Sequence, residues 1–454
     1  MKKVVALVLA AGMTIGATSC ANKGQSNEES VKESVMESVE EEILGIQFAK
    51  RNMKTDGQLY TGGNVTYDSV LWEKPEVEYD SSLDFGNVKG IYISSPVTYN
   101  GKPTKIMGYI GFPNGASAQD KCPAVVLVHG GGGTAFPDWV KLWNDRGYAA
   151  IAIDTEGGQS SSATTMDNGI HEERNKYVND SVYTAGPSNN SQTCPGADGF
   201  WMPGGLENLK NSWMYHATSA VILANSLIRS DERVDTELVG ITGISWGSII
   251  TNIVVGYDDR YAFAMPVYGS VAVDGTAGWL SSYPSEESKQ TWDTTEPMKL
   301  SNTPMLWVTG NRDEAFGLDA PTACYNVAQN GFMAIKPALT HGQRQGAEPG
   351  ELLTFADAVT GRGNQIIKIN QIPSKENNTM SLKIGTEVTL NSIKIYYVTD
   401  KYYKANSVWK TKAVGFDETD LTEIQVEFPA TATYAYVSIT FNNNLNATTG
   451  LITL

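Results

Sequence analysis

Paired cysteines, histidines and excess positive charge are scarce in this chain, and each shortage removes a class of protein. The four cysteines are Cys20, Cys122, Cys194 and Cys324. Their spacing matches no zinc-ligand pattern, and with Cys20 set aside as part of a leader the remaining odd number predicts no disulfide framework. Histidine is equally sparse, at His129, His171, His216 and His341, which narrows the search for a general base. Lys and Arg number 34 against 50 Asp and Glu, a net charge of −16 with no basic stripe. That balance argues against nucleic acid as a partner. No internal repeat of propeller or solenoid type is present, and an apolar fraction of 41% with 19% charged residues is ordinary for a globular protein.

The apolar stretch 4–17 follows Lys2-Lys3 and is too short for a comfortable membrane span. It reads as a targeting leader, residues 1–20. It closes in Gly16-Ala17-Thr18-Ser19-Cys20, which resembles the lipobox of bacterial lipoproteins. That resemblance implies lipidation at Cys20, a membrane contact through the lipid alone and an extracytoplasmic, cell-surface location. An ordinary cleaved signal peptide and secretion is the alternative. Residues 21–45 are acidic and polar and read as a solvated tether.

What the chain does contain is Gly243-Ile244-Ser245-Trp246-Gly247, between the apolar run 237–242 and the helical-looking run 248–255. Strand, G-x-S-x-G, helix is the context of a nucleophile elbow, whose sharp turn leaves no room for side chains two residues either side of the serine. A Ser–acid–His order then requires a histidine C-terminal to Ser245, and only His341 qualifies. The acid must lie between them. The buried-strand pattern 304–310 runs into Asn311-Arg312-Asp313-Glu314, so Asp313 is the expected acid, with Glu314 as its rival. Upstream, the apolar run 123–128 ends in His129-Gly130-Gly131-Gly132-Gly133. Glycines there let backbone N–H groups approach a developing oxyanion, so Trp246 with Gly131 or Gly132 are the expected donors and His129 is structural.

Strands at 88–93 and 104–112 flank an Asn100-Gly101 turn signal, and strand–helix alternation follows: strand 123–128, helix 136–147, strand 149–154. Residues 155–205 show no apolar period and read as a long functional loop holding His171 and Trp201. Residues 206–228 read as one helix, with His216 on its apolar stripe as a core residue, and residues 351–359 as a closing helix. From 364 onward the texture alternates with period two and predicts a β-sandwich-like domain, 364–454, beside a catalytic domain at 46–363. Its tyrosines and Trp409 read as packing in preference to a sugar-stacking face.

Residues 88–360 resemble α/β-hydrolases of the acetyl xylan esterase and dienelactone hydrolase type. The segments carrying the likeness are 128–136, the elbow 243–247, Asp259-Arg260 with Pro266-Val267-Tyr268-Gly269, and 306–310. The chain departs from the cephalosporin-deacetylating branch in carrying Trp246 where that branch has Gln, and Glu156-Gly157-Gly158-Gln159 where it has Arg-Gly-Gln. The resemblance implies an α/β fold with a mostly parallel central sheet, helices on both faces and, here, an all-β appendage. It also implies Ser245 as nucleophile, Asp313 as acid and His341 as base, with no metal or organic cofactor. The expected function is a serine carboxylic-ester hydrolase that deacetylates carbohydrate, with Trp201, Trp279 and Trp292 as candidate sugar-stacking residues. The alternatives are a peptidase of prolyl-oligopeptidase type, or a non-catalytic polysaccharide-binding lipoprotein.

Overall fold

A computed structural model of the protein describes residues 56–157, 164–167, 184–185, 205–271, 277, 283, 285–337, 339–363, 369–374, 378–384 and 389–454. The expectations attached to Cys20, His171, Cys194, Trp201, Trp279 and the tether 21–45 fall outside these residues.

A short edge strand β1 (Val77–Tyr79) runs antiparallel to β2 (Lys89–Tyr99), which pairs in turn with β3 (Lys102–Gly111). Asn100 and Gly101 turn this hairpin with φ of 50° and 76°. Positive φ at both central positions is the type I′ geometry that asparagine and glycine tolerate, which is why the dipeptide marks the turn.

Then come β4 (Cys122–Val128), α1 (Pro137–Asn144), β5 (Ala149–Ile153) and the short β6 (Thr184–Ala185). Every residue of β4 is buried. Ala124, Val126 and Val128 join one apolar cluster, while Val125 and Leu127 alternate away from it and are equally inaccessible. Burial of successive residues means that both faces of the sheet are covered here.

The stretch 206–228 is not one helix. A 3₁₀ turn, Leu206–Asn211, is separated from α2 (Trp213–Arg229) by Ser212, whose side chain caps the new helix by accepting the Tyr215 N–H. A serine in extended backbone geometry restarts the helix there, and the apolar stripe runs across the break. His216 lies on α2 and is buried, as its place on the stripe implies.

Strand β7 (Val234–Ile244) leads into α3 (Trp246–Val254), followed by β8 (Phe263–Val267), α4 (Glu286–Trp292), α5 (Thr295–Leu300), β9 (Met305–Gly310), α6 (Asp319–Val327), β10 (Gly331–Lys336), α7 (Gln343–Ala347) and α8 (Gly350–Val359). The main sheet has the order β1-β2-β3-β5-β4-β7-β8-β9-β10, with β6 on β3. Every neighbour pair from β5 through β10 is parallel. The chain lays β5 on one side of β4 and β7 on the other, so the order reverses at β4. Carboxyl ends of strands at such a reversal open the crevice where ligands bind in α/β sheets.

The remaining strands are all antiparallel: β11 (Asn370–Ser374), β12 (Thr379–Lys383), β13 (Leu390–Val398), β14 (Lys410–Val414), β15 (Ile424–Glu427), β16 (Tyr434–Phe441), β17 (Asn446–Thr448) and β18 (Ile452–Thr453). They form sheets β11-β12-β15 and β14-β13-β16-β17, with β18 on β16. Met380, Leu382 and Val426 of one sheet share a core with Ile393, Ile395, Val437 and Ile439 of the other.

This all-β region is bound into the rest of the chain. The Ile335 amide, on edge strand β10, donates to Thr448 Oγ1 at 3.1 Å, and the Leu451 amide donates to Thr322 Oγ1 at 2.8 Å. Tyr436 of β16 is fully buried within the large core of the main sheet. Covering β10 removes an open edge that would otherwise recruit another strand.

Candidate active site

Ser245 stands between β7 and α3 with φ 57° and ψ −116°. Such a conformation costs a non-glycine residue about 1–3 kcal/mol and persists only where its surroundings enforce it. Here the enforcement is steric. A Cβ at Gly243 would sit 2.0 Å from the Gly247 carbonyl oxygen, and one at Gly247 would sit 2.1 Å from that of Val128. The elbow is therefore wedged against the end of β4. The Ser245 N–H donates to Val267 O at 2.9 Å, while its carbonyl accepts from Ser248 and Ile249 as the helix begins.

His341, in the loop after β10, places Nε2 2.9 Å from Ser245 Oγ and Nδ1 2.7 Å from Asp313 Oδ2. An ionised carboxylate can only accept, so Nδ1 carries the proton and Nε2 is free to accept the serine hydroxyl. Asp313 follows β9 and is buried. Its other oxygen accepts from the N–H groups of Ala315 and Phe316 at 2.9 and 3.1 Å, which fixes the direction of the carboxylate. Glu314 is exposed. Spacing alone left these two neighbours open; the turn of the backbone separates them.

Two rings lie nearly parallel to the imidazole. Tyr268 stacks on it at 4.6 Å between centroids and Phe316 at 6.0 Å, with interplanar angles of 27° and 17°. The Tyr268 hydroxyl donates to Gly342 O at 2.9 Å, and burial pushes its pKa well up, so it stays a neutral phenol. Its place beside the imidazole was hidden from sequence reading. Only its position in the Pro266–Gly269 segment hinted at it.

The glycine loop after β4 lies beside the serine. A Cβ at Gly130 would come within 3.7 Å of Ser245 Oγ. His129 anchors the loop: Nδ1 bonds Gly130 O at 2.7 Å and Nε2 accepts the Thr155 N–H at 2.9 Å. Both ring nitrogens are thus engaged in holding backbone, as its structural reading requires. Asp154, at the end of β5, accepts from Thr134 Oγ1 and from the Glu156 N–H, and Glu156 Oε1 accepts the Gly132 N–H. This last contact divides the two expected glycine donors. Gly132 spends its N–H on a carboxylate, whereas the Gly131 N–H has no hydrogen-bond partner among the described residues. Trp246 begins α3 and packs edge-on against Trp213 at 5.2 Å. Trp292 is buried in the core, so it offers no face for a sugar.

Ser245, Asp313 and His341 follow β7, β9 and β10, all at the carboxyl edge of the parallel strands, with the glycine loop at the end of β4 beside them. Strand order, reversal at β4 and elbow decide the fold. It is the α/β-hydrolase fold. No family model matches the chain. Over 252 residues it is 23% identical to a probable dipeptidyl-peptidase 5 of Aspergillus terreus, a match taking in 51% of this chain and 30% of that one. The chain therefore spans under a third of the length of that relative. Among solved α/β-hydrolase structures, an acetyl xylan esterase from Paenibacillus sp. R4 superposes with a TM-score of 0.46 at 18% identity, covering 62% of this chain and 88% of the other. An acylaminoacyl peptidase of Pyrococcus horikoshii gives 0.40 at 15% identity, covering 63% and 43%. Among the described residues no group of three or more His, Cys, Asp or Glu side chains could hold a metal ion, and no helix is long and apolar enough to cross a membrane.

Proposed function

We propose that the protein is a serine hydrolase that cleaves carboxylic esters, acting on acetyl groups carried by carbohydrate. One observation carries the reading. A strained, barely accessible serine hydroxyl lies 2.9 Å from an imidazole whose far nitrogen is 2.7 Å from a buried carboxylate. Ser245 Oγ attacks the ester carbonyl as His341 Nε2 takes its proton, and Asp313 stabilises the imidazolium that forms. The N–H groups of Gly131 and Trp246 receive the oxyanion. Loss of one such donor typically costs ~3 kcal/mol of transition-state stabilisation. His341 returns the proton to the leaving alcohol. A water molecule then adds to the acyl carbon, giving its proton to Nε2, and collapse releases the acid while Ser245 recovers its hydrogen.

The choice of acetylated carbohydrate rests on the motif resemblance in 128–136, 243–247 and 306–310. A peptidase is the second reading, favoured by the sequence match to a dipeptidyl-peptidase. Purified protein is expected to hydrolyse p-nitrophenyl acetate and release acetate from acetylated xylan, while leaving a proline-containing peptide amide intact. Cleavage of the amide with no acetate release would replace the esterase reading by the peptidase one. A Ser245→Ala variant as active as wild type would remove both. Attachment at the cell surface through a lipid on Cys20 belongs to the same proposal. Mass spectrometry of the mature N-terminus tests it, with an unmodified terminus elsewhere overturning it.

A further inference from the structure

The loop that carries Asp313 is held at both ends by one aromatic group from the C-terminal β region. At its start, the Asn311 backbone carbonyl accepts the Trp409 indole N–H at 2.7 Å, and the Asn311 side-chain Nδ2 donates to the Tyr436 hydroxyl at 3.0 Å. At its end, the Leu318 N–H donates to the Tyr403 hydroxyl at 3.0 Å. The three rings form one cluster: Tyr403 and Trp409 lie 6.1 Å apart, Trp409 and Tyr436 5.1 Å, and Tyr396 stacks on Tyr436 at 4.9 Å. Tyr436 is wholly buried, so this cluster is not a platform for a sugar ring.

The loop's own hold on Asp313 is slight. The Asp313 N–H reaches Gly310 O only at 3.4 Å, and the Asp313 carboxylate is what ties down the Ala315 and Phe316 amides. We propose that the C-terminal β region is a positioning device for the triad acid, with Tyr403, Trp409 and Tyr436 clamping residues 311–318 so that Asp313 meets His341. This rests on the serine-hydrolase reading and deepens it. The three aromatics touch no reacting atom and act through Asp313. Misplacement by an ångström at such a contact costs far more activity than the hydrogen bond itself is worth. The titratable groups facing Asp313 are His341 and the phenols of Tyr268 and Tyr403, both pushed up by burial; Arg312 and Glu314 point to solvent.

The test uses the full chain carrying Tyr403→Phe and Trp409→Phe together, which leave an aromatic ring at each position and delete the two polar contacts. Competent sites are counted with a fluorophosphonate probe. Per competent site, kcat on p-nitrophenyl acetate is expected to fall roughly tenfold with KM within about twofold. The acidic limb of kcat/KM should move to lower pH, because a loosened carboxylate stabilises the imidazolium less. Leu382→Ala, in the core of the other β sheet, should lower the melting temperature and leave kcat and the limb in place. A readout independent of turnover is the far-downfield His341 Nδ1–H proton resonance, expected in the wild type and lost or shifted in the double variant. Wild-type turnover with kcat, limb and resonance unmoved by the double substitution would overturn the clamp, as would an equal loss in Leu382→Ala. A resonance lost in the double variant of a protein that turns over no ester would uphold the clamp and remove the esterase reading instead.

Discussion

At the scale of single residues, the roles assigned to Ser245, His341 and Asp313 imply unequal losses. Ser245→Ala removes the nucleophile and His341→Ala the base beside it, so each should drop kcat by about 10⁵–10⁶-fold, and the pair together no further. Asp313→Asn keeps the shape but presents a donor to Nδ1, favouring the wrong tautomer, and should cost ~10⁴-fold. Steady-state kinetics on p-nitrophenyl acetate measures all three, and an Asp313→Asn enzyme at wild-type rate would exclude that residue from the relay. His216 makes a separate prediction, about stability. Burial lowers its pKa from 6.5 to about 4, and its Nε2 has no hydrogen-bond partner among the described residues. The unfolded chain titrates this group near 6.5, so between these values the unfolded state holds the extra proton. Stability therefore rises with pH through this window, is complete above it, and at the acid end is lower by about 3 kcal/mol. Urea unfolding at pH 7.5 and 4.5 should show a larger acid loss in the wild type than in His216→Phe. Equal losses would mean that the imidazole is not the group responsible.

At the scale of elements, the glycine loop is built by its neighbour. The end of β5 supplies Asp154, Thr155 and Glu156, which between them hold Thr134, His129 and Gly132. Glu156→Ala should release the loop and lower kcat by about 10–100-fold, less than outright loss of an oxyanion donor, while Glu156→Gln retains an acceptor and most of the activity. Kinetics of the two variants decide this, and an Ala variant at wild-type rate would show that the loop holds its shape unaided. Local chemistry made part of this arrangement readable in advance. The Asn100-Gly101 turn, the uniformly apolar β4 and the G-x-S-x-G elbow each follow from a rule confined to a few adjacent residues. With four histidines in the chain, His341 followed from order alone. What stayed hidden depends on partners far along the chain. β8 is a five-residue strand with Pro266 in it, and α4, α5 and α6 are short, with too few turns for a period to emerge. Ser212 splits a stripe that periodicity alone reads as continuous. The choice of Gly131 over Gly132 turns on a carboxylate in a different loop.

At the scale of the molecule, the all-β region and the hydrolase sheet are expected to fold as one unit. The two are joined by hydrogen bonds and a shared core, although the change from mixed to all-strand texture lies between Val359 and Asn370. Tyr436 sits within the core of the main sheet, with Tyr396, Tyr403, Trp409 and Leu451 packed against it. Burying one large apolar side chain contributes about 1.5–3 kcal/mol, and a whole domain is stable by only about 5–15 kcal/mol. Removing several such groups at once approaches or exceeds that margin. It also uncovers β10, whose Ile335 amide is satisfied by Thr448, leaving an apolar edge strand open to association. A fragment ending at residue 363 is therefore expected to be insoluble, or to lack a cooperative melting transition and bind a hydrophobic dye. A fragment that melts cooperatively and hydrolyses ester like the full chain would show the β region to be an independent module. Intermediate behaviour is informative too: a fragment that folds but turns over ester slowly, with the acidic limb displaced, is what loss of the clamp on residues 311–318 alone would produce.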